Sequence, residues 1–174
     1  MHIHPSHPLQ HSRFIWLSLF FICTFLEITA LYYQHILDYA PCVSCIHVRL
    51  WVALIWLISL IGLILPAIKA VRALLLTATL FCFSALIERS WTLLGTERGY
   101  FIGSCNVDLG LPNWLALDQW LPFMFKVETT CGYTPFIIAN ITMAEVLIVL
   151  SSVLWLFVLV WLIYTFKKPA FSRR

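Results

Sequence analysis

Four stretches of this chain, at 14–33, 46–65, 71–87 and 143–166, are too long and too apolar to be left in water. About 20 apolar residues in a helix cover the roughly 30 Å of hydrocarbon in a bilayer, and each stretch approaches or meets that length. With 174 residues, 61% hydrophobic and 11% charged, the chain has too little polar surface for a soluble domain of its size. The pattern specifies an all-α membrane protein, a four-transmembrane-helix bundle that forms one integral membrane domain over 1–174. Two loops, at about 34–45 and 88–142, fall on one side. The first span is too long for the h-region of a signal peptide and is followed by no small-residue cleavage site, so it is expected to stay in place. Both termini then share the other side.

Charge orients the bundle. Arg13, Lys69, Arg72, Lys167, Lys168, Arg173 and Arg174 lie on the terminal side without a single acid, whereas Asp38, Glu88, Glu97, Asp108, Asp118 and Glu128 lie with Arg89, Arg98 and Lys126 on the other. Lys and Arg concentrate in short cytoplasmic segments, so both termini are expected in the cytoplasm and both loops outside. The formal net charge of +3 is accounted for by this asymmetry, and no basic stripe suited to nucleic acid stands out. His2, His4, His7 and His11 read as a polar tail in preference to a metal site. In the second loop, "LPNWLALDQWLPFMF" (111–125) mixes aromatic and aliphatic residues with Asn113, Asp118 and Gln119. It is expected to form one short interfacial helix, begun near Pro112 and stopped near Pro122.

Six cysteines divide by position. Cys23 and Cys82 fall in the middle of spans, where a small apolar side chain packs well and a thiolate is costly. Cys42, Cys45, Cys105 and Cys131 fall in the outer loops, two in each, which suits an oxidising compartment. The stretch "PCVSCIHVR" (41–49) is not a c-type haem site, because Ile46 follows the second cysteine and His47 comes one place late. A structural zinc site would favour two tight pairs, and Cys105 and Cys131 are far apart in sequence, so no metal is expected. An inert disulfide remains open for Cys105 with Cys131. For Cys42 with Cys45 it is a weaker reading, since closing so small a ring removes little chain entropy. A tight pair of this kind suits opening and closing. Arg49 lies one helical turn beyond Cys45 and on the same face. Its guanidinium either snorkels to the interface or stabilises a thiolate and a developing oxyanion on an apolar electron carrier.

These residues resemble the disulfide bond formation protein B (DsbB) family of inner-membrane thiol oxidases. The resemblance rests on "LEITALYYQHILDYAPCVSCIHVR" (26–49), on "LPNWLALDQWLPFMF" followed by Cys131, and on four spans with the tight dithiol in the short loop. Vitamin K epoxide reductase-like proteins carry their membrane-proximal pair late in the chain; here it comes early. The resemblance implies a protein thiol:quinone oxidoreductase of the bacterial inner membrane that reoxidises a periplasmic DsbA-like dithiol oxidase. By position, the partner's cysteine attacks a Cys105–Cys131 disulfide, Cys131 then engages Cys42, and Cys45 is freed to donate to ubiquinone or menaquinone through a charge-transfer complex. Arg49 would hold the quinone, and Gln34 and His35 either line the same pocket or support the loop backbone. Glu27 also matches and is a costly carboxyl within a span.

This chain departs from the family by carrying Val43 and Ser44 inside the dithiol and His47 and Val48 after it. Ser44 can hydrogen-bond a thiolate, and His47 is either a proton donor or an ordinary interface histidine. A disulfide below about −300 mV could not oxidise a partner at about −120 mV, since 180 mV is uphill by roughly 8 kcal/mol for two electrons. The alternatives are a relative dedicated to one specialised partner and a non-catalytic membrane scaffold with static loop disulfides.

Overall fold

Helices dominate because a chain in hydrocarbon has no water to satisfy its backbone, and an α-helix satisfies every interior N–H and C=O within itself. The computed structural model describes residues 8–65, 68–100, 109–112, 116–129, 136–138 and 141–167. Within them run α1 (Pro8–His35), α2 (Val43–Ile64), α3 (Lys69–Glu97), the single turns α4 (Leu117–Trp120) and α5 (Pro122–Phe125), strands β1 (Phe136–Ile138) and β2 (Ile141–Thr142), and α6 (Met143–Lys167). Of these, α1, α2, α3 and α6 are long and apolar enough to cross a membrane. Large apolar side chains such as Phe25, Leu74, Phe81 and Val149 face outward from the bundle, as a lipid-exposed surface requires.

α1 packs on α2, α2 on α3 and α3 on α6. Their shared core contains Trp16, Leu19, Cys23, Val52, Ile55, Leu76, Cys82, Phe83, Leu86 and Val158, all buried. Between lipid-embedded helices packing and polar contacts replace the hydrophobic drive. Trp56 Nε1 donates to Thr24 Oγ1 at 2.9 Å across α1 and α2, and Trp155 Nε1 donates to Ser84 Oγ at 3.0 Å across α3 and α6. Gly62 lets α2 approach α1 closely: a Cβ there would stand 2.5 Å from the Trp16 ring.

Helix ends depart from the reading of the sequence in instructive ways. The third span was expected to stop at Ile87, yet α3 continues to Glu97, carrying Glu88 and Arg89 as a 3.2 Å ion pair. Charges end an apolar stretch without ending a helix. What ends α3 is Gly99 at φ +75°, with Tyr100 N–H donating to Gly95 O at 2.8 Å, the left-handed cap that glycine adopts without strain. α6 begins with a reciprocal cap: Thr142 N–H donates to Glu145 Oε2 at 3.2 Å, and Glu145 N–H donates to Thr142 Oγ1 at 3.4 Å. Glu145 also pairs with Arg98, tying the end of α3 to the start of α6.

The single interfacial helix expected over 111–125 is replaced, among its described residues, by two separate turns. Pro122 cannot continue α4 because its ring would strike the carbonyl four residues back, but it is well suited to the first position of α5. Residues 113–115 of that expectation lie outside the described residues. The short antiparallel ribbon of β1 and β2, pairing Phe136 with Thr142 and Ile138 with Ile141, was not anticipated.

Candidate functional site

The dithiol is built into the start of α2. Cys42 is its N-cap, in extended conformation, and its Sγ accepts from Cys45 N–H at 3.4 Å, while Ile46 N–H donates to Cys42 O at 3.0 Å. The Sγ atoms of Cys42 and Cys45 are 2.8 Å apart. At this end of a helix the exposed N–H groups and the helix dipole favour negative charge, the right polarity for sulfur chemistry through a thiolate. Cys42 is 1% exposed and packs with Leu93 of α3 and Ala144 of α6, so the bundle presents Cys45 rather than Cys42 to the adjoining space.

That space is a cavity of about 280 Å³ at the head of the bundle, with Cys45, Arg49 and Gln34 in its wall. The i, i+4 spacing therefore does bring Cys45 and Arg49 together. Arg49 is 7% exposed and is not a snorkelling residue. Its Nη1 donates to Gln34 Oε1 and, at 3.1 Å, to Met124 O, and its Nη2 donates to Ala30 O at 2.8 Å. One cation thus joins α1, α2 and α5. Of five guanidinium N–H groups, these bonds engage three, leaving two available to a ligand among the described residues. Gln34 is equally buried, and its amide holds Arg49 from the α1 side.

His35 and His47 lie outside the cavity wall and serve the loop. A carbonyl can only accept, so Nε2 carries the proton in each: His35 donates to Phe123 O at 3.1 Å and stacks on the Phe123 ring with centroids 4.2 Å apart, and His47 donates to Leu109 O at 3.0 Å. Support of a loop backbone is one of the two readings of His35; His47, read as a proton donor or an ordinary interface histidine, likewise contacts the backbone of the second loop. Residues 109–112 and 116–129 accordingly lie over the start of α2, where Val43, Ile46, Leu109 and Phe125 form a small buried cluster. Glu128 and Thr129 N–H both donate to Pro41 O, at 3.0 and 3.3 Å, and Thr129 bridges Cys42 in parallel. Cys105 and Cys131 lie outside the described residues.

Several wall residues were not foreseen: Tyr33, Asp38 and Tyr39 from the first loop and its approach, Leu93 from α3, and Met143 and Leu147 from α6. Asp38 takes φ 54°, a left-handed turn that an aspartate tolerates and that folds Tyr39 back over the end of α1. Tyr39 N–H donates to Tyr33 O at 3.0 Å. Leu93 was missed because the third span was ended too early. The Met124 carbonyl has no signal in sequence, being backbone.

Comparison with known proteins gives this arrangement a family. The model of disulfide bond formation protein DsbB matches residues 12–161. Disulfide bond formation protein B of Shewanella amazonensis is 34% identical over 163 residues, covering 92% of this chain and 95% of that protein. Disulfide bond formation protein B 2 of Pseudomonas aeruginosa is 33% identical, covering 83% of this chain and 82% of its own, and the Yersinia pestis protein of the same family name is 30% identical over 162 residues. A match over so much of both chains, on a bundle with a dithiol at the head of its second helix, makes this multi-pass membrane protein a member of the DsbB family of disulfide bond formation proteins.

Proposed function

We propose that the chain is a protein thiol:quinone oxidoreductase that reoxidises a periplasmic DsbA-like dithiol oxidase. The observation that carries the reading is the shared cavity: Cys45 and the buried Arg49 both line the same space. At about 280 Å³, the cavity is near the roughly 300 Å³ lower bound of small-molecule sites, room for a substituted ring whose apolar tail would have to lie elsewhere. Its wall combines apolar Val48, Leu93 and Leu147 with the cation, a donor set that suits a quinone. A bound quinone supplies a two-electron, two-proton acceptor.

The residues divide the work. Cys45 is the electron donor to that acceptor, Arg49 stabilises negative charge on the sulfur and on the accepting oxygen, and Gln34 fixes the guanidinium. Cys42 links the dithiol to the second loop. Thr129, bridged to Cys42, precedes Cys131 by two residues, a reach of about 7 Å, which supports exchange between a Cys105–Cys131 disulfide and Cys42. Cys105 would meet the partner's cysteine. His35 and His47 act by holding the loop against α2. The charge asymmetry supports insertion in the bacterial inner membrane with both termini cytoplasmic and the dithiol outside.

The test is anaerobic turnover of the purified protein with a reduced DsbA-like donor, offered ubiquinone and menaquinone in separate assays. Loss of quinone absorbance that vanishes in Cys45→Ser is expected. No turnover with either quinone, despite intact loop disulfides, would refute the reading and favour a static scaffold.

A further inference from the structure

Glu27 lies on α1 one turn deeper than Ala30 and two turns deeper than Gln34, on the face they share. Both of its carboxyl oxygens are buried, and neither has a hydrogen-bond partner among the described residues. A carboxyl at such depth is expensive, and no hydrogen bond offsets the cost. Its compensation is electrostatic. Arg49 reaches α1 at Ala30 O and at Gln34, immediately above Glu27, and its charge acts on Glu27 and on Cys45 alike.

One cation therefore faces two acids. In a low-dielectric interior a single positive charge compensates one negative charge, and a second anion beside it is left unbalanced. The other titratable groups nearby do not change that count: Cys23 lies one turn deeper and feels Glu27, and Asp38, Tyr33 and Tyr39 line the cavity above. None of them is a cation.

We propose that Glu27 is the store for the proton that Cys45 must lose. Arg49 then faces one anion throughout: the Glu27 carboxylate while Cys45 is a thiol, and the Cys45 thiolate while Glu27 is a neutral acid. The proposal rests on the reading of the cavity as the acceptor site, and its chemistry closes. Cys45 gives its proton to the Glu27 carboxylate. Cys42 and Cys45 then form their S–S bond, passing two electrons to a quinone. The proton held by Glu27 and the thiol proton of Cys42 go to the two quinone oxygens, and Glu27 is again a carboxylate. Two thiols and a quinone become a disulfide and a quinol.

The decisive readout uses the reduced full-length protein without quinone. Alkylation of Cys45, followed by peptide mass spectrometry at fixed mildly alkaline pH, where Glu27 stands as a carboxylate beside the Cys45 thiol, should be at least about tenfold faster in Glu27→Gln, whose neutral amide leaves Arg49 wholly to the thiolate. Glu27→Asp should stay within about twofold of wild type, since a carboxyl is retained. In the wild type, the infrared difference between the thiol and thiolate forms of Cys45 should contain a protonated-carboxyl band that is absent from Glu27→Gln. That measurement stands even if the glutamine variant folds poorly. With quinone added, single-turnover quinol formation in Glu27→Gln should fall as pH rises, because the stored proton must then come from solvent. Unchanged or slower alkylation in Glu27→Gln, or no carboxyl band in the wild type, would overturn the proposal. Because the first two readouts need no quinone, a chain that cannot reduce quinone would refute the function proposed above without deciding this one.

Discussion

The four described cysteines occupy two environments, and the contrast between them explains more than the residue type does. Cys23 and Cys82 lie in the middle of the bundle among Val52, Ile55, Phe83 and Leu86. Cys23 borders a void of about 10 Å³, too small for any ligand. Cys42 and Cys45 stand at a helix N-terminus, beside a cavity of about 280 Å³ and a buried guanidinium. The middle of the bundle is closed and apolar, so a thiol there is packing. The head is the place where a helix start, a cation and an open space coincide, so the same side chain has charge stabilisation and access. Variants should accordingly separate: changes at the head should remove activity and spare the fold, and changes in the middle should do the reverse.

The largest effect is expected at Cys45. Cys45→Ser should reduce thiol-driven quinone reduction by at least about 10³-fold, as removal of a reacting group does, with little change in melting temperature. Full turnover in that variant would erase the distinction between the two environments. Arg49 comes next. Arg49→Lys retains the charge but cannot hold Gln34, Ala30 O and Met124 O together, and turnover should fall on the order of 10²-fold, judged by steady-state assay. Gln34→Leu should cost roughly tenfold in the same assay by releasing one bond to the guanidinium.

The bundle away from its head supplies the converse, at the far end of α2 and in the middle. Gly62→Ala should drive a methyl into the Trp16 ring and destabilise the bundle by about 1–3 kcal/mol in a detergent unfolding titration, while folded molecules turn over normally. The smallest effect on turnover belongs to Cys23→Ala combined with Cys82→Ala, which should stay within about twofold of wild type and lose stability alone. Strong loss of turnover there would show that the middle of the bundle is not inert.

The sequence carried the bundle and the early dithiol plainly, because an apolar stretch of bilayer length and a tight pair of cysteines are local signals. It carried the pairing of Cys45 with Arg49, since helical periodicity alone places them on one face. It did not carry the contacts of Arg49 with Gln34, Ala30 O and Met124 O, which join residues distant in sequence and include backbone atoms. Two missed features had legible signals. Gly99 could have placed the end of α3, and "TMAE" at 142–145 is a capping pattern that marks the start of α6. The two histidines illustrate a different limit: the family resemblance offered His35 to the pocket and titration near neutral pH offered His47 as a proton donor, whereas their partners are carbonyls of the second loop.

The most direct test of the central claim, that Cys45 beside Arg49 is where electrons leave the protein, is a single anaerobic turnover. The fully reduced protein, carrying Cys105→Ser and Cys131→Ser so that the new disulfide cannot pass to the second loop, is mixed with one equivalent of quinone, and quinol and disulfides are counted together by absorbance and by mass spectrometry of the quenched chain. The account predicts one quinol per chain and one new disulfide, between Cys42 and Cys45. Quinol formed without that disulfide, or that disulfide formed without quinol, would contradict it.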